Sequence, residues 1–103
     1  MPANAGIMPL YVVEHTHAAS ACPAQNPQVA PALLQIVSPA NAARAGLTIR
    51  GDAVANGAHH LYLILDGPNA ESVERYFAPF GQLGTLQVSP ASHCEQVVAR
   101  GSC

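Results

Sequence analysis

The hydrophobic positions of this chain fall into short alternating runs and short segments of helical spacing, one after another. From Met8 to His17 apolar residues occupy both parities, with Leu10 and Val12 on one face and Tyr11 and Val13 on the other. This pattern predicts a strand covered on both sides. Ala18 to Pro27 holds Pro23 and Pro27 and reads as loop. Gln28 to Val37 has helical spacing in Val29, Leu33, Leu34 and Val37, an apolar stripe on one face. Ser38-Pro39 restarts the chain as N-cap and first helical residue of a second short helix, which should run to Ala45 and stop at Gly46.

Leu47 to Val54 alternates again as a second strand, and Asn56-Gly57 predicts a hairpin with a type I′ turn. His59 to Leu65 is the third strand. Gly67-Pro68-Asn69 turns the chain, and Asn69 caps a helix from Ala70 to about Ala78 with Val73, Tyr76, Phe77 and Phe80 as its buried stripe. Thr85 to Val88 gives a fourth strand. Ser92 and Glu95 are spaced as a capping box for a last short helix from His93 to Ala99.

The order is β-α-β-β-α-β with a terminal turn of helix. With right-handed crossovers it predicts an α+β, ferredoxin-like sandwich, in which a four-stranded antiparallel sheet of order 4-1-3-2 carries both helices on one face. The bare face is expected to carry Tyr11, Val13, Tyr62 and Ile64. That is apolar enough to predict a homodimer, two sheets face to face in a dimeric α/β barrel.

Composition adjusts this picture at a few points. With 103 residues, half of them hydrophobic and a tenth charged, the chain is expected to form a single domain over 8–103, preceded by a flexible extension over 1–7. A net charge of −2 and the absence of lysine argue against nucleic acid or an anionic membrane surface as a partner. No apolar run reaches the roughly 18 residues of a membrane span, and the first residues lack the basic start and apolar core of a signal peptide, so a cytoplasmic location is expected. Three cysteines, Cys22, Cys94 and Cys103, are too few for a disulfide framework and read as free thiols.

Three segments carry a resemblance. They are Leu10-Tyr11-Val12-Val13-Glu14, Asn41 to Leu47, and His60 to Glu74 with its Leu-Asp-Gly-Pro-Asn-Ala-Glu core. Over residues 8 to 90 the chain resembles small uncharacterised proteins of the dimeric α/β-barrel type, broadly similar to nickel-binding actinobacterial relatives. The resemblance implies the fold more than an activity, because that fold hosts cofactor-free monooxygenases, isomerases and metal binders.

The chemistry concentrates where the first strand ends. Alternation sends His15 and His17 to one face, about 7 Å apart along the strand. Two imidazoles at that separation can tilt toward one transition metal, with Cys22 in reach through the loop. The topology sets this strand end beside the start of the third strand. If Leu61, Leu63 and Leu65 face the helices, His60 is expected to join His15 and His17 on the dimer-facing side. Arg50 and Asp52 are expected as outer neighbours, and Glu14 is expected to point away. A mixed imidazole–thiolate set suits copper, nickel or zinc and not magnesium or calcium. The expected metal ligands are therefore His15, His17, Cys22 and His60, with His59, His93 and Cys94 as lesser candidates. Cys94, in the first turn of the last helix, is expected to be activated by the helix dipole but to lie far from Cys22.

The leading expectation is a homodimeric transition-metal-binding protein. A small dimeric-barrel enzyme, metal-dependent or cofactor-free, using the same histidines on a small-molecule substrate, is the alternative. A thiol protein built on Cys94 and a plain assembly module are the remaining readings.

Overall fold

The computed structural model describes residues 8–103. The extension expected over 1–7 lies outside the described residues. Four strands, β1 (Leu10–Thr16), β2 (Thr48–Ala55), β3 (His60–Asp66) and β4 (Thr85–Ala91), form one antiparallel sheet of order β2-β3-β1-β4. Two single 3-10 turns, Ala19–Ala21 and Pro23–Gln25, follow β1. The helices are α1 (Ala30–Ile36), α2 (Pro39–Arg44), α3 (Ala70–Tyr76), α4 (Ala78–Gly81) and α5 (Cys94–Arg100). This is the expected α+β, ferredoxin-like arrangement.

Local chemistry sets the element ends. The Ser38 hydroxyl accepts from the Asn41 amide at 3.4 Å, and Gly46 closes α2 with φ +81°. Asn69 Oδ1 accepts from the Ser72 amide at 2.8 Å and starts α3. The helix expected over 70–78 stops at Tyr76 and restarts as α4, because Pro79 has no amide to continue the first ladder but fits the first turn of the second. The capping box of the last helix is shifted by one residue from Ser92/Glu95. His93 is the N-cap, and its amide donates to Gln96 Oε1 at 2.9 Å.

The core lies between the sheet and the helices. Tyr11, Val13, Leu63 and Leu65 from the strands pack against Val73, Phe77 and Phe80, with Ala42 and Leu47 closing one end. Tyr76 ties α3 to α1 by donating its hydroxyl to the Ile36 carbonyl at 2.7 Å, and burial pushes its phenol above the ordinary tyrosine range.

The faces of β1 are therefore the reverse of the expected ones. Tyr11 and Val13 belong to the core and not to the bare face, and His15 follows them inward because it shares their parity. The register agrees, since Val13 lies opposite Leu63 and His15 opposite Leu61. Glu14, Thr16, His60, Tyr62 and Ile64 occupy the open face.

Candidate metal centre

Antiparallel pairing places the residue after β1 opposite the residue before β3. Thr16 pairs with His60, and one step further the His17 amide donates to the His59 carbonyl at 3.2 Å. Residues opposite one another in a ladder share a face. His17 therefore meets His59 on the helix side, and their ring centroids are 5.1 Å apart at 68°.

His59 reaches this position through its backbone. The hairpin is not the two-residue type I′ turn that Asn56-Gly57 suggests, since Asn56 does not adopt positive φ. The Ala58 amide instead bonds the Ala55 carbonyl at 3.0 Å, Gly57 takes φ +75°, and His59 itself takes φ +53°. That left-handed conformation is uncommon for a side chain larger than glycine, although histidine tolerates it better than most.

Cys22 arrives from the other side. The two 3-10 turns after β1 fold the chain back, with the Cys22 amide bonded to the Ala19 carbonyl at 3.3 Å and the Cys22 carbonyl accepting from Gln25 at 3.1 Å. Pro23 is buried beneath this turn. One ligand atom each from His17, Cys22 and His59 lies within 4.8 Å of the others. These three side chains could hold a metal ion. They border a groove of about 270 Å³ whose other walls include Leu33, Val54 and Leu61.

His15 stands beside this group and is not part of it. The residue is 2% exposed, and its ring lies 5.0 Å from that of Phe80. Both of its nitrogens are engaged, Nδ1 at 3.1 Å from the Thr85 carbonyl and Nε2 at 3.2 Å from His17 Nδ1. Burial, and then the neighbouring histidines, hold its basicity below the ordinary histidine range despite the Thr85 contact. Burial and then His59 lower that of His17 in the same sense. His17 Nε2 is buried and has no hydrogen-bond partner among the described residues.

The remaining expected ligands lie elsewhere. His60 is on the opposite face of the sheet, 3.2 Å from Glu14 Oε1 through Nε2, 3.1 Å from Thr16 Oγ1 through Nδ1, and stacked on Tyr62. Glu14, expected to point away from all of these histidines, is on the face opposite His17 but bonds His60. Arg50 is not an outer neighbour either. It sits in a β-bulge between Ile49 and Gly51 and donates Nε to Asp66 Oδ2 at 2.7 Å, toward the far end of the sheet. Asp52 is exposed opposite Leu63. His93 and Cys94 are exposed beyond the end of β4, which pairs with the start of β1, so they stand at the other end of the sheet from Cys22. Cys103 is exposed at the chain end.

Sequence spacing picks out His15, His17 and Cys22, and only the last two are in the group. His59, a lesser candidate on the sequence, joins them because the pairing of Thr16 with His60 in the β1–β3 ladder sets it opposite His17. No protein-family model matches the chain, and no curated protein is significantly similar to it. The chemistry must therefore be read from the site itself.

Proposed function

We propose that this chain is a small transition-metal-binding protein that holds copper, nickel or zinc through His17, Cys22 and His59 and works as a homodimer. The observation that carries the reading is the buried, unpartnered Nε2 of His17, on a ring that is grouped with a thiol and a second imidazole. A buried ring nitrogen left without a partner is unfavourable unless a ligand completes it. Two imidazoles and a thiolate form a donor set for late first-row metals, and the hard, oxygen-seeking cations would find no carboxylate in it. Tyr62 and Ile64, 40% and 46% exposed on the open sheet face, support the dimer.

The test is native mass spectrometry with metal analysis of untagged protein. One metal ion per chain is expected, lost in His17→Ala, Cys22→Ser and His59→Ala and kept in His60→Ala. Metal-free protein, or metal that disappears in His60→Ala and survives in His17→Ala, would overturn the assignment. The same spectra report the dimer, and a monomer at micromolar concentration counts against that part.

A metal-dependent enzyme is a second reading favoured by one observation. Three protein ligands facing a groove leave a coordination position for water or substrate, as in catalytic zinc sites. Cobalt substitution tests it, since an exchangeable water on the bound ion is expected for an enzyme and is absent from a closed site.

A further inference from the structure

Three imidazole nitrogens and one carbonyl form a line at the end of β1, and the hydrogen bonds along it can run in only one direction. The Thr85 carbonyl can only accept, so His15 Nδ1, 3.1 Å away, carries the hydrogen. In the neutral ring His15 Nε2 is then a bare acceptor. His17 Nδ1, 3.2 Å from it, must supply the hydrogen of that contact. The remaining nitrogen of His17, the buried Nε2, is left with a free lone pair, and it belongs to the ring grouped with Cys22 and His59.

We propose that His15 is a positioning residue that holds His17 in its Nδ1–H tautomer, so that the Nε2 lone pair is presented to a metal. This inference rests on the metal-binding reading and adds a role for a residue outside the ligand set. A free histidine has no such constraint, and a ligating histidine needs its second nitrogen held by an outer partner to fix both tautomer and ring orientation. Carboxylates and backbone carbonyls usually do this. Here a second imidazole does it, itself fixed by a main-chain oxygen. His15 is suited to the role because Phe80 packs against its ring and restricts its rotation. Thr85 is suited because its carbonyl belongs to the sheet and cannot swing away.

The placement of the line depends on Gly84. A Cβ there would collide with the Thr16 carbonyl oxygen and come within 3.0 Å of the His17 Cα. Only glycine lets β4 begin this close to the end of β1, which brings the Thr85 carbonyl to His15.

Two-bond nitrogen–proton correlation spectra of the metal-free, untagged chain test the tautomer directly. His17 is expected with hydrogen on Nδ1 and none on Nε2. The opposite tautomer would overturn the proposal whether or not any metal binds. Titration with cobalt(II), followed by its ligand-field and thiolate charge-transfer absorption, tests the consequence. His15→Leu keeps the packing and removes the acceptor, and should weaken cobalt binding about 10- to 100-fold. In His15→Gln the amide can donate to Thr85 and accept from His17, so binding should recover to within a few-fold of wild type. A folded His15→Leu that binds as tightly as wild type, or a His15→Gln as weak as His15→Leu, would overturn the positioning role. If His15→Leu does not fold, the wild-type spectrum and His15→Gln still decide. Wild-type protein with the expected tautomer that takes up no cobalt would overturn the metal reading alone.

Discussion

Burial holds His15 below the ordinary histidine range, and it does the same to His17 beside His59. Both rings are therefore neutral in the folded protein at neutral pH, whereas in the unfolded chain they titrate near 6.5. Below that value the unfolded state binds more protons than the folded one, so the stability these residues contribute is complete above about pH 6.5 and declines as the pH falls toward their lowered values. The urea midpoint of metal-free protein is expected to drop between pH 7.5 and 5.5, and His15→Gln should lose part of that drop. An equal decline in wild type and variant would show that other groups are responsible. What the sequence revealed at this scale was limited by parity. Both faces of β1 are apolar, Leu10 and Val12 against Tyr11 and Val13, so hydrophobicity could not say which face His15 and His17 share with the core. The parity of Leu61, Leu63 and Leu65 was legible, and carried through the β1–β3 ladder it selects His59 over His60.

Among the elements, the strands and the Ser38 and Asn69 caps follow from turn and cap chemistry that short-range patterns display. Three features do not. The break between α3 and α4 comes from one proline inside an otherwise periodic stripe, and the hairpin lengthens because His59, not Asn56, takes the left-handed conformation. The approach of β4 to β1 at Gly84 is a third-dimensional constraint with no local signature. Gly84→Ala is expected to destabilise the protein by about 1–3 kcal/mol, as overpacking at a rigid backbone contact does. It should also weaken metal binding by displacing the Thr85 carbonyl. Denaturant unfolding with cobalt titration on the same variant checks both. An unchanged midpoint would mean that β4 can move outward freely, and the line from Thr85 to His17 would then be poorly fixed.

For the molecule as a whole, the proposed ion would join three segments, the end of β1, the turn carrying Cys22 and the hairpin tip. A ligand that binds only the folded state at a hundred times its dissociation constant adds about 2.7 kcal/mol. In a domain of this size that raises the melting temperature by about 10–20 °C. Thermal unfolding with and without zinc should show such a shift in wild type and lose it in Cys22→Ser. A shift that survives Cys22→Ser would place the ion elsewhere. Two of the four apolar residues that the sequence assigned to the bare face, Tyr11 and Val13, are in the core. Tyr62 and Ile64 remain exposed there beside Glu14 and His60.

The bulge at Arg50 also bears on the edges of the sheet. A four-stranded open sheet has two edges, here β2 and β4, and each offers unpaired backbone groups to any other extended chain. Many proteins guard such edges with lysine, and this chain has none. It relies on shape instead. The irregularity between Ile49 and Gly51 twists one border out of register for a docking strand, and Pro90 removes a donor from the other. In a chain half hydrophobic and only a tenth charged, the barrier to edge-to-edge assembly thus rests on these irregularities, with Arg50 and Asp52 the charges on β2 and no charged side chain on β4.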